Sequence, residues 1–225
     1  MSTSAKHYNV GVIAFDGVDI LDFAGPIEIF SHVSLNKNPD NPDRIYKCQT
    51  IGRSHTIRAA DSLTVTVDLL VSDALLDLDQ FDILVVPGAP PSVITPLLAP
   101  KSLEMQLVAA FSKLQPRSSE AGPRILFSVC VGAFFLGAAG ILGGLSVTTH
   151  RRALERLGQI CRVVGREPAS IVNKRFVDGG LSKNGAVSVV TAGGISSGLD
   201  AALHIVGIQT SKDMEHFIRR VMEYF

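Results

Sequence analysis

Between Arg124 and Gly140 the chain reads RILFSVCVGAFFLGAAG, and its hydrophobic period changes in the middle. Arg124 to Val129 is a short apolar run that predicts a buried strand, whereas Gly132 to Ala139, all small or apolar, predicts a helix. Cys130 stands on the corner between them. Small Ser128 and Gly132 on either side have the logic of a nucleophile elbow, a strained strand-to-helix turn that lifts one side chain clear of the sheet. A thiol so placed faces the first amides of a helix, whose partial positive charge favours thiolate and lowers its pKa. The competing reading is a structural cysteine buried in a core strand, and the corner alone does not separate the two.

Around this corner the chain alternates strands and helices. Tyr8–Phe15 predicts a first strand apolar enough for the centre of a parallel sheet, followed by a turn at Asp16-Gly17. Val18–Val33 has helical periodicity broken at Gly25-Pro26, so the expectation is a loop or short turn through Ile20–Ala24 and a helix from Pro26. Asn36–Arg44 reads as a polar loop, Ile45–Ile51 as a strand, and Thr56–Ala60 with Leu63–Val67 as a hairpin. Asp68–Leu78 is weakly helical, Phe81–Pro87 a buried strand, and Ser102–Leu114 an amphipathic helix. Gln115–Gly122 reads as a polar linker into the elbow strand.

Beyond the elbow, Ser146–Thr149 predicts a short strand and Arg151–Leu157 a helix that Gly158 ends. Cys161–Val164 and Ser170–Asn173 read as short strands, and Phe176–Asn184 as a turn-rich connection. Val187–Ala192 is the last buried strand, followed by helices over Ser197–Gln209 and Lys212–Phe225. This alternation predicts a single α/β domain over residues 1–225: a doubly wound, mostly parallel sheet with helices on both faces, of flavodoxin-like type. The loops after Phe15, Pro87, Val129 and Thr149 would then emerge together at C-terminal strand ends. Asp22, Gly88, Cys130 and His150 can share one crevice there. Locally, Asp22 also reads as a helix cap or a solvated loop carboxylate, Gly88 as a simple tight turn, and His150 as a capping or boundary histidine.

Twenty-one basic and twenty-one acidic residues cancel without a long run of either sign, which leaves no electrostatic footprint for nucleic acid or an anionic membrane. A small-molecule partner is the better expectation. No apolar stretch approaches a membrane span, and the start, MSTSAKHYN, carries no signal core. Cys48, Cys130 and Cys161 are odd in number and irregularly spaced, which argues against a disulfide framework and for a reducing, cytoplasmic setting. With no CxxC or clustered HxxxH, they do not suggest a metal site.

Four blocks, VGVIAFDGVDILDFAGPIEIF, DILVVPGAP, SVCVGAFFLGAAGILGGLSVTTH and GGISSGLDAAL, resemble the DJ-1/PfpI superfamily. More narrowly they resemble its branch of isocyanide (isonitrile) hydratases and amidotransferase-like domains of AraC-type regulators. The similarity runs from about Val10 to about Val206. It implies a homodimeric cysteine-nucleophile enzyme without metal or organic cofactor. By motif, Cys130 is implied as nucleophile and Asp22, in the LDxxGP block, as the general acid/base facing it. Backbone amides near Gly88 and Ala89 and of Val131 are implied to stabilise developing charge, with Thr149 and His150 in support.

Two positions depart from the pattern. Val131 follows the cysteine where isocyanide hydratases carry threonine and many DJ-1-like proteins histidine, so no side-chain hydroxyl or base is offered there. Gly88-Ala89-Pro90-Pro91 replaces the family's common Gly-Gly turn. The function expected from the resemblance is hydration or hydrolysis of a small molecule, with isocyanide to N-formamide the leading case. The alternatives are glyoxalase-like aldehyde chemistry and a non-enzymatic redox or ligand sensor using Cys130. Regulators of the branch carry a DNA-binding domain after the sensor, whereas this sequence stops at Phe225.

Overall fold

The computed structural model describes residues 7–117 and 122–225. The start of the chain and the middle of the expected Gln115–Gly122 linker lie outside the described residues. In chain order the elements are β1 (Tyr8–Ile13), α1 (Ile20–Ser31), β2 (Tyr46–Gly52), β3 (Thr56–Ala59), β4 (Leu63–Thr66), β5 (Leu69–Leu70), α2 (Val71–Leu76), β6 (Ile83–Val86), α3 (Pro91–Leu97) and α4 (Leu103–Phe111). Then come β7 (Arg124–Val129), α5 (Ala133–Ala138), β8 (Ser146–Val147), α6 (Leu154–Val164), β9 (Ser170–Ile171), β10 (Phe176–Leu181), β11 (Val187–Ala192), α7 (Ser197–Gln209) and α8 (Lys212–Val221).

Seven strands form the main sheet in the order β10-β11-β7-β6-β1-β2-β5. Every pairing is parallel except that of the edge strand β10 with β11. Strands β6 and β7 are buried along their whole length, as a sheet covered on both faces requires. The helices pack in two groups, α1 with α7 and α8, and α2 with α4, α5 and α6. This is the doubly wound α/β architecture. No helix among the described residues is long and apolar enough to cross a membrane.

The strand order places β1 beside both β2 and β6, and the chain winds away from β1 in both directions. Such a switch point opens a crevice at the carboxyl ends of the strands. The segments after β1, β6 and β7 all reach it.

Several local expectations are corrected. Helix α1 begins at Ile20 rather than Pro26, and Pro26 lies inside it. Proline removes one helical hydrogen bond, but the buried face of Phe23, Gly25, Pro26, Ile29 and Phe30 packs α1 in place. Helix α6 runs through Gly158 and stops at Gly165, which adopts the left-handed conformation at φ 69°. Cys161–Val164 is therefore the last turn of α6 and not a strand: Leu157 and Cys161, both buried, follow the helical spacing. Phe176–Leu181, read as a connection, is edge strand β10, whose glycines sit at a register shift between Asp178 and Leu181. Helix α3 occupies a stretch in which the sequence reading places no helix, with a proline at its start. The weakly helical Asp68–Leu78 resolves into β5, α2 and the start of a short 3₁₀ turn.

Candidate active site

Cys130 has φ 56°, in the left-handed region that a non-glycine residue enters only at a cost. It follows β7 directly and opens a 3₁₀ turn, Cys130–Gly132, that leads into α5. The corner can be this tight because of Gly132. A Cβ built there would stand 2.0 Å from the Val86 carbonyl oxygen on β6, so any other residue would collide with backbone. Thr149, itself buried, closes the corner from the other side, its Oγ1 donating to the Cys130 carbonyl at 2.7 Å.

Asp22 lies in the first turn of α1 and is fully buried. It is neither the cap of a later helix nor a solvated loop carboxylate. Its Oδ2 accepts the Gly88 amide at 3.0 Å, while Oδ1 is buried without a hydrogen-bond partner. Gly88 is the hub of the site. A Cβ on it would lie 2.9 Å from Asp22 Oδ2, 2.9 Å from the Val131 nitrogen and 3.0 Å from the Cys130 Cβ. Its missing side chain lets the carboxylate and the thiol approach each other. Ala89 is buried beside it. Of the expected amides, that of Gly88 engages Asp22 and that of Val131 engages the Cys130 sulfur.

Burial governs the protonation of the pair. The Asp22 carboxyl is pushed up to about 7, first by desolvation and further by the Asp19 carboxylate, against the lowering pull of the Gly88 amide and the Cys130 thiol. The Cys130 thiol is pushed up to about 12, again mainly by burial and then by the Asp22 charge, with the Val131 amide pulling it back. This corrects the expectation that the helix terminus makes Cys130 a standing thiolate. The turn supplies one amide, and desolvation outweighs it. Burial thus disfavours both anions, and the thiolate more than the carboxylate.

His150 is half-buried in the turn before α6, and its Nδ1 accepts the Arg152 amide at 3.3 Å. Its charge acts on Asp19, whose carboxyl burial raises and His150 lowers. Asp19 itself went unread in the sequence. One ligand atom each from Asp19, Asp22 and Cys130 lies within 4.8 Å of the other two. An α1 starting at Ile20 would have pointed to it, since residues three apart in the first turn share a face. Among the described residues, these three side chains are the ones close enough together to approach a single cation.

A separate cavity lies away from this cluster. It encloses about 480 Å³ at the opposite edge of the sheet, between the C-terminal ends of α4, α5 and α6 and the β10–β11 turn. Lys113, Arg166 and Lys183 line it, and these cations complement the negative ends of three helices.

A doubly wound sheet with a strained cysteine elbow at its carboxyl edge, facing a buried carboxylate, defines a class of cysteine-elbow α/β proteins. The sequence profile of the DJ-1/PfpI family matches residues 8–207, and the chain belongs to that family. It is 32% identical over 162 residues to an uncharacterized protein in the cpoL 5′ region of Streptomyces lividans, a match covering 70% of this chain and 98% of that one. It is also 32% identical over 111 residues to an isonitrile hydratase of Pseudomonas putida, covering 48% of this chain and 41% of that protein. Among solved structures, a ThiJ/PfpI family protein from Pseudomonas syringae superposes with a TM-score of 0.72 at 18% identity, covering 97% of this chain and 75% of that one.

Proposed function

We propose that this protein is a cysteine-dependent hydratase of a small molecule and that its substrate is an isocyanide, R–N≡C, converted to the N-formamide. The observation that carries this reading is the buried meeting of Cys130 with Asp22 across Gly88, where the carboxyl titrates near 7 and the thiol does not. A neutral-pH general base beside a protonated thiol suits attack coupled to proton transfer. The likeness to the Pseudomonas putida isonitrile hydratase supports the choice of substrate.

In this mechanism Cys130 sulfur bonds to the terminal isocyanide carbon as the thiol proton passes to Asp22. Asp22 then delivers that proton to the same carbon, giving a thioimidate, R–N=CH–S–Cys130. Water adds to the thioimidate carbon and nitrogen gains a proton. The hydroxyl proton of the adduct returns through Asp22 to sulfur as the C–S bond breaks and the formamide leaves. The Val131 amide, already beside the sulfur, steadies the thiolate as it forms and departs.

The alternatives have less support. A peroxide-sensing cysteine needs exposure and thiolate character, and Cys130 is 5% exposed with a raised pKa. Glyoxalase-like chemistry calls for a histidine at the thiol, whereas His150 acts on Asp19. Formamide release from cyclohexyl isocyanide tests the proposal. Cys130→Ala should abolish turnover and Asp22→Asn should lower it roughly 10²–10⁴-fold. Unchanged rates in both variants would overturn it.

A further inference from the structure

Hydration of an isocyanide moves two sets of protons, one between sulfur and carbon and one between water and nitrogen. Asp22 is built for the first. It is fully buried and its Oδ2 is tied to Gly88. The second set needs a base within reach of the same carbon but closer to solvent.

We propose that Asp19 is that base, a second catalytic carboxylate that takes the proton of the attacking water and returns it to the substrate nitrogen. The assignment rests on the hydratase reading above. Three observations carry it. A carboxylate oxygen of Asp19 lies within 4.8 Å of both the Asp22 carboxylate and the Cys130 sulfur, so a carbon bonded to that sulfur comes within its reach. Asp19 occupies the N-cap of α1 with extended backbone, where an aspartate normally spends its carboxylate on a helix amide, yet its side chain makes no cap hydrogen bond. Its backbone is held on both sides: its N–H donates to the Gly88 carbonyl at 3.0 Å, and its carbonyl accepts the Asp22 amide at 3.1 Å. The backbone is thus held while the carboxylate is left unused by the helix it begins. The third observation is Asp22 Oδ1, a fully buried acceptor of the same cluster that has no hydrogen-bond partner.

The balance closes on this chain's groups. As the water oxygen bonds to the thioimidate carbon, one water proton passes to Asp19 and the C=N π pair moves onto nitrogen. Asp19 then protonates that nitrogen and is again a carboxylate. Asp19 is only partly buried where Asp22 is fully buried, and pairs of catalytic carboxylates divide their labour through such differences in environment. The other ionisable groups bearing on Asp19 are Cys130 from the elbow and His150 from the turn before α6.

The test uses the full chain with Asp19→Asn, Asp19→Glu and Asp22→Asn, each first checked to unfold in a single cooperative transition, and cyclohexyl isocyanide as substrate. Intact-protein mass spectrometry reads the Cys130 adduct while formamide release reads turnover. Asp19→Asn should form the adduct at close to the wild-type rate but release formamide roughly 10²-fold more slowly, so that the thioimidate accumulates. Asp19→Glu should recover part of the release rate, and Asp22→Asn should form little adduct. An active wild type with Asp19→Asn turnover within threefold of it, and no accumulated adduct, overturns the role of Asp19 alone. A wild type that makes neither adduct nor formamide overturns the hydratase reading and the water-activating role with it.

Discussion

The two edges of the parallel sheet make opposite use of space. At the carboxyl edge, Gly88 and Gly132 are packed so closely that a single added carbon would meet backbone or the catalytic pair, at 2.9 Å in one case and 2.0 Å in the other. At the amino edge lies an open cavity of about 480 Å³ lined by cations that face helix ends. The residues lining that cavity include no cysteine and no carboxylate. The tight edge holds both. Proximity without solvent changes acid–base behaviour, and on this ground the proposed chemistry is assigned to the crowded edge.

If that contrast is right, substitutions at the carboxyl edge have large effects and those at the amino edge small ones. The largest expected effect is at Gly132. Its Ala variant forces a Cβ against the Val86 carbonyl and should cost more than about 3 kcal/mol or prevent folding, as read by denaturant unfolding.

Next comes Asp22→Asn, with the opposite sign. The folded-state pKa of Asp22 is raised, so wild-type stability is full below the unfolded value near 4, falls between about 4 and 7, and stays low above 7. Asparagine carries no such penalty. At pH 8 the variant should unfold at a higher denaturant concentration by roughly 2–3 kcal/mol, with the gain vanishing toward pH 4. A variant less stable than wild type at pH 8 would mean that the carboxylate is not destabilised by its burial.

A third effect separates strain from chemistry. Since Cys130 sits at φ 56°, Cys130→Gly should be more stable than Cys130→Ala by about 1 kcal/mol, although both lack the nucleophile. Equal melting temperatures would argue against a strained elbow. The smallest effects belong to the other edge: Arg166→Ala and Lys183→Ala should each change stability by about 0.5 kcal/mol or less and leave turnover unaltered. A loss of activity there would break the contrast between the edges.

How much of this could be read from residue order differs from segment to segment. The strand β7 and the corner at Cys130 were legible because the hydrophobic period changes within a few residues. The parallel sheet followed from short apolar runs alternating with helical patterns. Helix α1 was misjudged at its start because Pro26 is a strong local breaker, while the packing that holds the helix through it comes from distant elements such as α7. That single error also hid Asp19. Strand β10 was hidden by its glycines, which serve a bulge against β11 rather than a loop.

The sequence by itself determined the alternation that builds the sheet, the cysteine at a strand-to-helix corner, and the small residues that let the corner turn. These depend on neighbours along the chain. Only the tertiary structure decided that Gly88, sixty-six residues from Asp22, joins that carboxylate to Cys130, that Asp19 stands beside them, and that burial disfavours both anions, the thiolate more than the carboxylate. The reason is physical. A pKa in a protein interior is set by the desolvation and charge that every surrounding element contributes, and those surroundings exist only once the strands are side by side.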